Sequence, residues 1–250
     1  MTVQTKNTKL EIWKLITFLL IGLIAGYIIG RFELTSITFK TSSATTNANV
    51  KTEQTAKTDT AAEVQEQTQP VTVDVSGDQV LGNKDAKITI VDFSDYQCPV
   101  SQYFTTKMLS QIKTDYIDTG KIKYIYKDFP LNMHKYAVNA SLAAECAGQQ
   151  GKYWEMHDKL FIAQNEWSTS ENPDETLKGY AKELALNTTK FDTCYSAQGT
   201  KDEIMEDKKI GTDLGVKGTP TLIINGYITR GVPQDYEDLK ATLDNMISSQ

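Results

Sequence analysis

Two apolar runs with a helical pattern between them constrain the fold of this chain more than anything else in it. Lys87–Phe93 (KITIVDF) reads as a buried strand, and Lys121–Phe129 (KIKYIYKDF) alternates apolar and polar residues over a second. Between them, Phe104, Met108 and Ile112 recur at helical spacing within Val100–Tyr116. A strand, a helix and a strand of this length form a βαβ unit, so the fold class is α/β. A long helical stretch follows from about His134 to Ala163, with further helices at Pro173–Leu184, Thr188–Ala197 and Lys201–Leu214. Thr221–Ile224, the turn Asn225-Gly226 and Tyr227–Arg230 then read as a β-hairpin, and Asp235–Met246 as a closing helix. The order is βαβ, a helical block, then ββα.

The folded part does not start at residue 1. Leu15–Gly30 is an uncharged run of about 16 residues, or ~24 Å of helix. Ile12, Trp13 and Phe32 extend it toward the ~30 Å of a bilayer's hydrocarbon layer. Lys6, Lys9 and Lys14 precede it, and Arg31 behind it is soon followed by Glu33, so the positive-inside bias keeps the N-terminus cytoplasmic. The reading is a cytoplasmic segment 1–11 and a single-pass transmembrane anchor 12–32, with everything after it extracytoplasmic at the cell membrane. A cleaved signal peptide is the alternative, with Ser42-Ser43-Ala44 as its nearest cleavage site, rather far downstream. From Thr41 to Gln69 the composition turns to Thr, Ala, Gln, Lys and Asn, which buries too little to fold. Residues 33–70 are therefore a flexible linker, and the folded domain is 71–250.

Charge and cysteine usage narrow the chemistry. With 26 basic against 32 acidic residues and a net charge of -6, the chain lacks a nucleic-acid binder's basic footprint. The 3 cysteines are too few for a disulfide scaffold, and with 2 histidines a zinc cluster would have to draw on widely separated positions. No metal and no other cofactor is expected. Cys98, in Asp95-Tyr96-Gln97-Cys98-Pro99-Val100-Ser101, follows the first strand and opens the first helix, where free N–H groups and the positive end of the helix dipole favour thiolate. Pro99 suits the first helical position. A reactive thiol outside the cytoplasm is the reading; a small buried hydrophobe is the alternative.

Several co-linear motifs carry a resemblance that covers Val71–Gln250. FSDYQCP, DFPLNMHKYA, AAECAGQQGKYWEMHDKLF, FDTC and LGVKGTPTLIING together resemble the DsbA-like thiol-disulfide oxidoreductases of the thioredoxin superfamily. The resemblance implies a thioredoxin fold with an inserted helical domain at about 131–200. It makes Cys98 the nucleophile and Pro220 the cis-proline facing it, and it implies that Pro99, Val100 and Thr219 line the substrate surface. Without the resemblance a trans turn at Thr219-Pro220 is the simpler reading. Such a loop pairs with an extended segment through its backbone, which implies broad protein substrates.

This chain departs from the family motif Cys-Pro-x-Cys, because Ser101 stands at the resolving position. Serine has no second sulfur to offer, so Cys98 can form a mixed disulfide but cannot release it alone. A second substrate thiol or a redox partner supplying a thiol must do so, which fits isomerase or reductase chemistry better than net oxidation. The Ser101 hydroxyl either donates toward the Cys98 sulfur or merely fills space. The competing class is a redox-inactive module that holds peptides in the same groove, and a third reading joins two copies through Cys98. Asp92, six residues before Cys98, is either a semi-buried proton relay, as family members can carry, or an exposed strand-end acid. Asp95 reads as a cap or turn residue. The resemblance also implies a structural disulfide between Cys146 and Cys194, against two buried thiols. His134 and His157 read as packing or helix-end residues; Tyr153, Trp154 and Phe161 read as core. Asp202-Glu203 and Glu206-Asp207 read as a solvated face.

Overall fold

The structure, a computed structural model, describes residues 69–229, 231–233 and 235–249. The segments expected to be a cytoplasmic N-terminus (1–11), an anchor (12–32) and, for nearly all its length, a linker (33–70) lie outside the described residues. Among the described residues, no helix is long and apolar enough to cross a membrane.

The two apolar runs become β2 (Ile88–Ser94) and β3 (Ile122–Asp128), which lie parallel with Ile88 opposite Ile122 and Ser94 opposite Asp128. Helix α1 (residues 99–117) connects them; its α-helical turns Pro99–Tyr103 and Ser110–Ile112 alternate with π-helical turns Phe104–Leu109 and Lys113–Ile117. β4 (Thr221–Ile224) pairs antiparallel with β2, and β5 (Tyr227–Ile228) with β4. The hairpin turn takes positive φ at both Asn225 (48°) and Gly226 (89°), the type I′ geometry that matches strand twist. A short strand that sequence patterning misses, β1 (Val80–Gly82), closes the far edge antiparallel to β3, for an order of β1-β3-β2-β4-β5.

Strand alternation sorts side chains onto the two faces of this sheet. Ile88, Ile90, Tyr124, Leu222 and Ile224 pack with Phe104, Met108 and Ile112 of α1, while Val91, Phe93, Ile125 and Ile223 form a second cluster with Phe129 and Val216. Both faces are covered, which is why β2 reads as one continuous apolar run. Phe104, Met108 and Ile112, none more than 1% exposed, each contribute roughly 1.5–3 kcal/mol by burial. On the second face α7 (Lys201–Asp213) comes close because position 211 is glycine: a Cβ there would meet the ring of Phe129 at 2.7 Å and that of Phe93 at 2.8 Å.

Between β3 and α7 lies the helical insertion: α2 (Ala137–Gly148), α3 (Tyr153–Ile162), α4 (Gln164–Ser168), α5 (Pro173–Glu183) and α6 (Thr188–Ala197). The single stretch expected from His134 to Ala163 is in fact a loop and two helices. The chain turns through residues 149–152, with Gly151 at φ 72° and Lys152 N–H donating to Ala147 O. Side-chain oxygens cap α6 at Asn187 and the closing helix α8 (Tyr236–Ser248) at Asp235. Cys146 of α2 and Cys194 of α6 are joined in a disulfide with Cα atoms 5.8 Å apart. Tyr153 and Phe161 are buried and Trp154 partly so, all within the core. One expectation needs correction. Asp207 is not part of a solvated face: with Asp78 it holds the buried Lys127 ammonium, at 2.8 Å from each, and it accepts from Asp128 N–H, because β3 brings that lysine under α7.

Candidate active site

Cys98 is the N-cap of α1 (φ −75°, ψ 124°), followed by Pro99 at the first helical position. The strand delivers it there: the chain leaves β2 at Ser94 and turns through Asp95, whose carbonyl accepts from Cys98 N–H at 3.0 Å. The thiol is free and only 6% exposed. Its Sγ donates to the Thr219 carbonyl at 3.3 Å, and the Thr219-Pro220 bond is cis, so β4 sets that loop directly against the sulfur. Pro99 and Val100 face outward, Val100 being 49% exposed, with Tyr103 (48%) a turn further on. Thr219 is half-buried and Pro220 buried.

Ser101 is fully buried, and its hydroxyl pairs with that of Ser94 at 2.8 Å. The reading in which Ser101 donates toward the Cys98 sulfur is not the arrangement seen: the first turn of α1 sets Ser101 against the end of β2, while the sulfur turns to the Thr219 loop. Space-filling alone does not describe Ser101 either, since its hydroxyl is bonded. Asp92 shares this sheet face two residues before Ser94. It is fully buried, not an exposed strand-end acid, and accepts from the Tyr124 hydroxyl at 2.7 Å. Burial pushes its carboxyl up to about 7, against the hydrogen bonds of Tyr124 and Ser94. Between the ordinary 3.8 and about 7 the folded chain keeps a proton that the unfolded chain has lost, so this group costs stability progressively as pH rises through that window. Asp92→Asn cannot ionise and still offers Tyr124 an oxygen. It is expected to exceed the parent's stability by on the order of 2 to 4 kcal/mol at pH 8 and to match it near pH 4. Urea unfolding at the two pH values checks this, and an equal shift at both would refute it.

The turn before Cys98 is held from two sides. Asp95, 1% exposed, accepts from Gln97 N–H (2.7 Å) with one carboxylate oxygen and binds Leu131 N–H (2.7 Å) and His134 Nδ1 (2.8 Å) with the other. Gln97 accepts in turn from Tyr136 N–H at 2.8 Å. Asp95 is thus more than a local turn residue, and His134 supports the loop through it. From the insertion, Gln164 donates to the carbonyls of Tyr96 (2.7 Å) and Cys98 (3.0 Å). Sequence reasoning passed over Gln164, because one glutamine inside a helical pattern carries no periodic signal. His157 is fully buried among the rings of Tyr96, Tyr126, Trp154 and Phe161, and that burial lowers its pKa, so it is packed as the neutral imidazole. Among the described residues, no group of His, Cys, Asp and Glu is arranged to hold a metal ion.

The sheet thus carries a cysteine to the head of a helix, with the Thr219-Pro220 loop set against its sulfur. A family model described as thioredoxin matches residues 74–245, and the chain belongs to that family. It is 26% identical over 190 residues to disulfide bond formation protein D of Bacillus subtilis, covering 70% of this chain and 80% of that one. The crystal structure of oxidised BdbD from Bacillus subtilis superposes with a TM-score of 0.64 at 25% identity, over 72% of this chain and 96% of that chain. The described domain is accordingly a thioredoxin fold with a helical insertion, similar to DsbA-like thiol-disulfide oxidoreductases. The chain is also 31% identical over 180 residues (72% of its length) to the Na(+)/H(+) antiporter NhaA 3 of Salinispora tropica, of which it spans 26%.

Proposed function

We propose that this chain is a membrane-anchored, extracytoplasmic thiol-disulfide exchanger that works through Cys98 alone. One observation carries the reading: Cys98 is free at the head of α1 with its sulfur against the cis-proline loop, while Cys146 and Cys194 are engaged with each other. The Cys98 thiolate attacks a substrate disulfide, forming a new S–S bond to one substrate sulfur and expelling the other as a thiolate. Ser101 cannot complete the cycle. A second thiol of the same substrate then displaces Cys98, which is isomerisation with no net redox change. Alternatively a redox partner supplies two thiols: the first attacks the Cys98 sulfur and expels the substrate sulfur as a thiolate, and the second displaces Cys98 from that adduct. The substrate disulfide then ends as two thiols and the partner's two thiols as a disulfide, which is reduction. The exposed Pro99 and Val100 and the backbone of Thr219 beside Pro220 take the substrate as an extended segment, so many cysteine-containing proteins outside the cytoplasm serve. Asp92, buried two residues before Ser94 on β2 with its carboxyl pushed up by that burial, serves as the acid that holds the proton of the exchange. The anchor at 12–32 and the linker confine the domain to the membrane surface, and the function needs neither nucleic acid nor a cofactor.

The full chain, incubated with scrambled ribonuclease and quenched by alkylation, should yield a mixed disulfide at Cys98 by peptide mass spectrometry, together with recovery of native pairings. Ser101 also favours a second reading, a peptide-holding module without redox activity. Peptide binding that persists with no Cys98 adduct would establish that reading in place of exchange.

A further inference from the structure

We propose that Gln164 is a positioning residue for the Cys98 nucleophile, acting from the helical insertion. The residue is 4% exposed, and its one carboxamide nitrogen spends both hydrogens on backbone carbonyls of the active-site turn, Tyr96 O at 2.7 Å and Cys98 O at 3.0 Å. The Cys98 carbonyl also accepts from Gln102 N–H at 3.0 Å, so it is fixed from inside α1 and from outside it. The contact is reciprocal: Gln102 on α1 donates its side-chain amide to Phe161 O at 2.9 Å, at the end of α3. Two glutamines, one from each partner, thereby lock the head of α1 to the corner between α3 and α4. Trp167 holds that corner by donating from Nε1 to Leu160 O at 2.8 Å. The two carbonyls sit in a buried environment, where an acceptor stripped of its donor relaxes toward whatever partner it can find. Because they bracket the cysteine, such relaxation moves Sγ out of line with the disulfide it attacks, and displacement chemistry is steep in geometry. Cys98 is carried by the β2–α1 junction, yet its aim is set by the inserted domain.

The inference rests on the exchange reading, and the test uses a small disulfide that needs no peptide groove. The full chain and its Q164E and Q164L variants are mixed with oxidised glutathione from pH 5 to 8, and Cys98 adduct formation is timed by mass spectrometry. Each variant's rate is divided by its own Cys98 thiolate fraction, read from iodoacetamide alkylation over the same pH range, and then expressed as a ratio to the parent, which removes the thiol's own titration. Ionised glutamate has no hydrogen to donate and sets a charge against two carbonyls; protonated glutamate regains one donor. Q164E should therefore run about ten-fold below the parent at pH 8 and recover toward it at pH 5, while Q164L stays about ten-fold low throughout. Ratios that stay flat with pH for Q164E, or near one for both, overturn the positioning role and leave exchange standing. A parent that forms no adduct overturns both. Should Q164L not fold, the pH dependence of Q164E decides alone.

Discussion

Ser101→Cys turns the chain from an exchanger into a net oxidant. The full-length S101C variant, oxidised beforehand to its internal disulfide and shown by mass to carry no glutathione, should convert a dithiol peptide to its cyclic disulfide in a one-to-one ratio with the chain, and the parent, isolated with Cys98 as the free thiol, should convert none. Two electrons leave the peptide's thiols, and the variant's own disulfide takes them up to become two thiols. The geometry permits the bond, because positions 98 and 101 are one turn apart at the start of α1 and share a face. Ser101 is fully buried, so the sulfur pair is shielded from bulk solvent as it forms. The change costs the Ser94–Ser101 hydrogen bond, about 1 kcal/mol. Thiol titration and mass spectrometry of the peptide read the result. A variant that keeps both thiols free after oxidation, or that oxidises no more peptide than the parent, would mean that the missing sulfur is not what bars this domain from oxidation.

That expectation traces to residues legible in the sequence. Cys98 at a strand-to-helix junction, Pro99 behind it and Ser101 in place of a second cysteine are all local facts, and local facts survive folding. The same holds for β2, β3, the Asn225-Gly226 hairpin and α6, whose periodicity or turn chemistry is strong enough to place their ends to within two residues. What escaped was short or long-range. β1 spans Val80–Gly82 and α4 spans Gln164–Ser168, lengths at which neither a period of two nor one of 3.6 can be counted. The break between α2 and α3 hid in a run of helix formers, because the turn there follows from Gly151 and from packing, not from a proline.

The site shows the same division. Strand alternation places Asp92 opposite Val91 and Phe93, but it does not say that both faces of β2 are covered; only the sheet with α1 on one side and α7 on the other makes that carboxyl buried and shifts it. Asp207 was taken for a surface acid because its partner, Lys127, lies 80 residues away on β3. Gln164 reaches Cys98 across 66 residues. Pairings of this separation leave no trace in a single sequence, since each residue alone is common at a helix surface. The cysteine at the head of α1 was therefore readable, and the side chains that hold its turn were not.

Removing the disulfide of the insertion should cost stability without silencing Cys98. Cys146 and Cys194 are 48 residues apart in sequence, and closing a loop of that size is worth about 4 kcal/mol in the chain-entropy model. Replacing both by alanine should lower the thermal midpoint by roughly 8–16 °C for a domain of this length. Both must be changed together, because a lone thiol at either position would compete with Cys98 for disulfides. The bond ties α2 to α6, whereas the active-site turn is held by Gln164 on α4 and by residues 131–136, so the rate of Cys98 adduct formation with oxidised glutathione should stay within about two-fold of the parent while the fold persists. Thermal unfolding followed by circular dichroism, with and without a strong reductant, separates the possibilities. The reduced parent should converge on the double variant. An unchanged midpoint would show that the helices of the insertion hold together without the bond, and a collapse of adduct formation at a temperature where the variant is folded would show that the bond, like Gln164, helps to aim the nucleophile.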